Sequence, residues 1–324
     1  MCFKTRLAIM VMVVTSSLSL SAQCLSFLSL PEGQAADIAA NEGIVAFTGA
    51  KYDPRQEQPP TGLAGYVFRD RVQQWLLPIP SQPQGIALAS ADSMWITDIQ
   101  FGALHRVSGD GGFASFSVGQ GSLPYRVAVG PDDAVWFTTH SGFLGHLTTT
   151  GQLVKYPIGP IAFDLGFDAA GTLWVAEDRR LLRFDPVTTM QQSFPAQEHS
   201  RIYRLAFAAD GSIWFTDRSS TQVGRFDPAT STFRYFRLPE SLWNMIPGGI
   251  AKGPDDRMWF MAYGGARPSA IGAIDQGGVT TFWLLPPDTF VESIASDGHN
   301  VMWFTAGTAI GRFQLNCRRR PVRR

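Results

Sequence analysis

The segment GIAKGPDDRMWFMA (residues 249–262) reads as a strand, a tight turn and a second strand. Gly249 to Lys252 is a largely apolar run, Gly253-Pro254-Asp255-Asp256 is turn chemistry, and Met258 to Ala262 is apolar around Trp259. The pattern recurs as GIALASADSMWITD (85–98), RVAVGPDDAVWFTT (126–139), DLGFDAAGTLWVAE (164–177), RLAFAADGSIWFTD (204–217) and SIASDGHNVMWFTA (293–306). Its tryptophans are Trp95, Trp136, Trp174, Trp214, Trp259 and Trp303, spaced by 41, 38, 40, 45 and 44 residues. A weaker copy upstream, DIAANEGIVAFTGA (37–50), has Ala46 in the Trp place, and residues 51–60 read as an inserted loop. Each copy continues into further alternating strands, such as VGRF (223–226) then FRYFRLP (233–239). Four short strands at a period near 40 predict a propeller blade. Seven copies predict an all-β, seven-bladed β-propeller with four-stranded blades.

The last copy stops after its third strand, at IGRFQLNC (310–317), while CLSFLSLP (24–31) has the form of the missing fourth. The N-terminal strand is therefore expected to complete the last blade, which removes an open sheet edge. That register sets Cys24 beside Cys317, in the places that Thr232 and Thr230 hold in the copy two repeats earlier. A Cys24–Cys317 disulfide is the expectation; two free thiols are the alternative. Six of the nine tryptophans sit at one repeat position and are expected to pack between neighbouring blades. Trp243 and Trp283 are among the three outside the pattern, and Trp243 precedes a first strand.

Three regions follow. Residues 1–22 have Lys4 and Arg6, then the apolar run Leu7 to Val14, then small residues up to Ala22: the layout of a secretory signal peptide. A lipid anchor at Cys24 is the rival reading, against which Gln23 stands where a small residue is expected. Residues 23–317 form the propeller, and 318–324 a basic tail. Location is expected to be secreted or periplasmic. The chain has 27 basic and 27 acidic residues, and loss of 1–22 removes two bases and no acid. Such a balance gives no support for nucleic-acid binding. The apolar run is too short to span a bilayer, and a monomer is expected.

In a propeller, first strands line the channel, and the loops leading into them share one face with those leaving second strands. Two sets of positions follow. The pair eleven and ten residues before each Trp gives Gln84-Gly85, Tyr125-Arg126, Phe163-Asp164, Tyr203-Arg204, Gly248-Gly249 and Glu292-Ser293, with Ala36-Asp37 as the counterpart in the first copy. The residue three after the Trp gives Asp98, Thr139, Glu177, Asp217, Ala262 and Ala306. Tyr125, Arg126, Asp164, Tyr203, Arg204, Glu177 and Asp217 make a polar cluster. It reads either as a ligand site, with two arginines clamping a carboxylate and tyrosines stacking or donating, or as an inter-blade ion-pair network. Asp98, Glu177 and Asp217 also have the chemistry for a hard cation, although their recurrence points to a structural role. The five histidines lack metal spacing, and no nucleophile-elbow, zinc-protease, P-loop or dinucleotide motif is present.

The repeat resembles the streptogramin B lyase family, also called virginiamycin B lyase. The likeness is carried by the recurring GI-x-x-G-P-D-D-x-x-W-F, as in GIAKGPDDRMWF (249–260), by third strands such as SAIGAI (269–274), and by strands ending in Leu-Pro. It covers nearly all of the propeller region. The resemblance implies opening of a cyclic depsipeptide lactone by elimination, with Mg2+ held by Glu and a His base. The family's Pro-His steps stand at the last two first strands; here those places hold Gly248 and Glu292, and the family Glu corresponds to Phe290. Two functions follow: a propeller binding a small molecule or peptide at the channel face, or a lyase with rearranged residues in which Glu292 is base or ligand and Mg2+ a possible cofactor.

Overall fold

The computed structural model describes residues 24–89, 92–242, 245–264 and 268–316. The 1–22 segment, Trp243, Cys317 and the 318–324 tail lie outside the described residues. Seven four-stranded antiparallel sheets succeed one another along the chain. Blades one to six span residues 34–80, 83–117, 124–157, 162–195, 202–237 and 246–284. Blade seven takes three strands from Ile294–Ser296, Val301–Thr305 and Ala309–Gln314, and its outer strand from Leu25–Ser29. The register of that closure is Leu25 opposite Phe313 through Ser29 opposite Ala309. The N-terminal strand thus pairs as expected. Residues 52–60 form the expected insertion between the second and third strands of blade one.

The repeat sequence has a packing reason at each point. The Trp on the second strand enters the core shared with the next blade. Trp174 packs with Leu205, Ile213 and Phe215 of blade five, and Trp303 with Ile38, Val45 and Phe47 of blade one. Its indole N–H is often held by the turn that precedes it: Trp174 Nε1 donates to Asp168 at 2.8 Å, Trp259 Nε1 to Asp255 at 2.9 Å and Trp303 Nε1 to Asp297 at 3.0 Å. Trp283, outside the repeat, stacks on Trp259 with centroids 5.3 Å apart. The Phe after the Trp lies over a third-strand Gly. A Cβ at Gly145, Gly224, Gly272 or Gly311 would overlap the ring of Phe137, Phe215, Phe260 or Phe304 respectively. That overlap is why these third strands carry Leu-Gly, Val-Gly or Ile-Gly steps.

Candidate functional site at the channel mouth

Six of the seven first strands break register at one place. The ladder shifts between Ala35 and Asp37, Pro83 and Ile86, Pro124 and Val127, Ala162 and Asp164, Ile202 and Leu205, and Pro247 and Ile250. These bulges fall on the pairs picked out by their distance from the Trp. A bulge re-aims side chains locally, and here it directs two successive residues per blade toward the axis.

A threonine two residues after the Trp braces the bulges. Thr97 Oγ1 accepts from Gly85 N at 2.8 Å and donates to Tyr125 O of the next blade at 2.9 Å. Thr216 Oγ1 accepts from Arg204 N at 3.3 Å and donates to Gly248 O at 2.8 Å. Thr305 Oγ1 accepts from Glu292 N and Ser293 N at 3.2 and 3.1 Å. The Trp-x-Thr tails of the sequence are therefore ties between blades.

The inner layer lines a cavity of about 190 Å3 with Asp37, Arg126, Asp164, Arg204, Gly249 and Ser293. Its charges answer one another. Arg126 of blade three pairs with Asp37 of blade one, which also accepts from Ser293 Oγ at 2.5 Å and Ile86 N at 2.9 Å. Burial works most strongly against the Arg126 charge, but Asp37, Asp164 and the two tyrosines together outweigh it, and the guanidinium is held above its ordinary pKa. Asp164 accepts from Leu205 N at 2.8 Å and Leu165 N at 3.0 Å. Burial pushes its carboxyl up to about 6, against the opposing pull of Arg126.

The outer layer is uneven. Blades three to five contribute Tyr125, Phe163 and Tyr203, which pack on one another; the others contribute Gly248, Glu292, Ala36 and Gln84. Tyr125 and Tyr203 hydroxyls lie 3.1 Å apart, Tyr203 donates to Glu292 Oε1 at 2.9 Å, and Arg204 donates to the Tyr203 hydroxyl at 3.2 Å. Arg204 also lies 3.7 Å from Glu292. Burial, then the Glu292 charge, raises the Tyr203 phenol far above its ordinary pKa, so it remains a donor.

Three further residues reach this layer, of which the sequence placed only His140 on this face, as a surface residue. Arg218 lies 4.6 Å over the Tyr203 ring, on which Arg204 also lies at 4.4 Å. Arg218 is exposed and makes no ion pair among the described residues. His140 stacks on Tyr125 at 4.3 Å, and its Nε2 has no hydrogen-bond partner. Burial and then Arg218 lower its pKa, so the ring is neutral. Tyr263 faces Phe290, with centroids 5.8 Å apart. All three stand four residues after their Trp. The signal was present in the sequence one residue beyond the position considered.

The residues three after the Trp are engaged elsewhere. Asp217 accepts from Ser200 Oγ at 2.8 Å, Arg201 N at 3.0 Å and Gln222 Nε2 at 2.8 Å. Burial raises its carboxyl and these donors outweigh it, leaving the pKa lowered. Glu177 accepts from Gly159 N at 2.5 Å and pairs with Arg180. Asp98 meets His105 at 3.1 Å. Glu292, Asp164, Glu177 and Asp217 thus each have separate partners. Among the described residues no three His, Cys, Asp or Glu side chains come together to hold a metal. The donor set of the described residues does not fit a magnesium centre.

Comparison with known proteins agrees with this architecture. The model of the virginiamycin B lyase family matches residues 159–320, half of the chain. A virginiamycin B lyase from Mycolicibacterium smegmatis is 43% identical over 49 residues, 15% of this chain and 17% of that relative's length. The streptogramin B lyase structure superposes with a TM-score of 0.77 at 21% identity, covering 90% of this chain and 97% of the other. Virginiamycin B lyase from Staphylococcus aureus gives 0.78 at 20% identity, covering 90% and 99%. YCF48 bound to D1 peptide gives 0.70 at 12% identity, covering 92% and 99%.

Proposed function

The chain belongs to the virginiamycin B lyase family, and on that premise we propose that its channel mouth binds a small molecule or peptide bearing a carboxylate beside an aromatic or apolar group. The observation that carries this reading is Arg218. It is an exposed guanidinium above an aromatic wall, with no ion-pair partner among the described residues. Arg204 stands on the same ring, and paired guanidinium groups suit a carboxylate. Tyr125, Phe163, Tyr203 and His140 supply the flat surface.

The second reading is a lyase, the activity in the relatives' names, acting by the lactone opening that the family resemblance implies. In it Glu292, which receives the Tyr203 proton donor at 2.9 Å, would take the place of a base. Secretion, read from residues 1–22, accompanies both readings. So does the Cys24–Cys317 disulfide. Supporting it, Thr232 and Thr230, which hold the corresponding places in blade five, have Oγ1 atoms 2.7 Å apart.

The test titrates the protein with N-acetylphenylalanine and with its amide. We expect the acid to bind at least tenfold more tightly and Arg218→Ala to remove that preference. Equal binding of acid and amide would overturn the carboxylate reading. Cleavage of a cyclic depsipeptide, lost in Glu292→Gln, would favour the lyase.

A further inference from the structure

On the face opposite the mouth, the seam between blades three and four holds a cavity of about 600 Å3. Its origin lies in one register position. The third-strand residue opposite each Trp is Arg106, His146, Arg183, Arg225, Ala273 and Arg312 in blades two to seven. In blades five and seven the arginine lies over its own indole, 5.8 Å from Trp214 and 5.6 Å from Trp303. Arg225 is anchored by Asp210 at 2.7 Å, and Arg312 crosses its seam to Asp70 of blade one at 2.8 Å. Blade three has the shorter His146. It stacks flat on Trp136, with centroids 4.1 Å apart and planes at 10°, and its buried Nε2 has no hydrogen-bond partner. Across this seam Gln191 Nε2 of blade four donates to Pro157 O of blade three at 3.1 Å, but His146 does not reach across as Arg312 does.

The facing hairpin of blade four differs as well. Its turn DPVTTM (185–190) corresponds to DPATST (227–232) in blade five. Val187 is 90% exposed and Met190 72% exposed, and both line the cavity. In blade five those places hold Ala229 and Thr232. Two large apolar side chains at an open rim have no partner within the described fold, and their exposure is unfavourable unless something covers them.

The wall chemistry selects the occupant. Phe167, Trp136 and Met190 are apolar, and burial lowers the His146 pKa, so the imidazole is uncharged. Asp132 and Asp185 already accept from Ala134 N at 3.2 Å and Val187 N at 2.9 Å. Arg183 is the cation in this wall and is outnumbered by these carboxylates, so the lining has no positive excess to attract an anion. Aromatic walls with a few polar groups suit a flat ligand.

We infer that the seam between blades three and four is a second ligand site, taking a flat, uncharged aromatic group in the hollow lined by His146, Phe167, Val187 and Met190. The site is independent of the channel mouth. Its test uses p-cresol as the neutral probe and benzoate as the charged one, by saturation-transfer NMR and calorimetric titration of the whole protein. Saturable binding of p-cresol is expected, with benzoate at least tenfold weaker. His146→Arg introduces the residue that blades two, four, five and seven carry, and should weaken p-cresol at least tenfold. The Val187→Ala/Met190→Thr double variant, with blade five's residues, should weaken it at least threefold without touching the strands. Arg218→Ala, on the other face, should leave p-cresol binding unchanged. Absence of saturable p-cresol binding, equal binding of benzoate, or undiminished p-cresol affinity in both seam variants would overturn the inference.

Discussion

The two layers of the channel wall lie one residue apart in sequence and behave differently. In the inner layer, Arg126, Asp37 and Ser293 answer one another across three blades, so its polar groups hold the ring together. In the outer layer and the rim above it, Tyr125, Tyr203 and Glu292 form a chain of hydrogen bonds, yet Arg218 stands without an ion pair among the described residues. Charge alone does not point to a ligand; the proposed site rests on Arg218, an exposed guanidinium over an aromatic ring with no ion pair among the described residues. The comparison predicts that inner-layer and closure changes alter stability, whereas rim changes alter binding.

The largest effect is expected at ring closure. Replacing Cys24 and Cys317 by Ser should cost roughly 5–6 kcal/mol if loop entropy governs the bond, read as a lowered denaturation midpoint. Peptide mapping that finds both thiols free in the unreduced protein would end that prediction. Next comes Arg126→Met, which leaves Asp37 buried and uncompensated. We expect a loss of about 3–5 kcal/mol, with much of it recovered in Arg126→Met/Asp37→Asn. If the double variant is as unstable as the single one, the pair is not what the inner layer depends on.

A smaller effect separates the layers by pH. The Asp164 carboxyl is raised to about 6 from 3.8. Its contribution therefore favours the folded state fully below pH 4 and is lost as pH rises through 6. Relative to Asp164→Asn, the parent should lose roughly 2 kcal/mol of stability between pH 4 and pH 7, measured by urea unfolding. A constant difference across that range would show that the carboxyl is not perturbed. Smallest in stability is Arg218→Ala, expected within about 0.5 kcal/mol of the parent while removing the acid-over-amide preference at the mouth. A large loss of stability would move Arg218 into the structural layer and erase the contrast.

Much of this arrangement was legible before any coordinates. The Trp period and the strand–turn–strand pattern determined the blade count, and the truncated last copy with its detached CLSFLSLP determined how the ring closes. The distance back from the Trp located both channel layers, because the strand and turn lengths between them repeat. What the linear pattern did not reveal was which charges would meet. Arg126 finds Asp37, from a blade two repeats away, because a closed ring brings distant copies to one axis. Nor did the pattern separate Asp217, turned into its own loop, from the adjacent Arg218, turned over the mouth. A strand's alternation ends where the strand ends, and beyond it the backbone path decides the direction. His146 shows the same limit. In sequence it is one substitution at a repeat position, and only the packing of two blades turns a shorter side chain into an open seam. The sequence by itself determined the scaffold, since local periodicity encodes strands and their number. Tertiary structure alone decided the sites, since each depends on side chains from separate blades meeting in space.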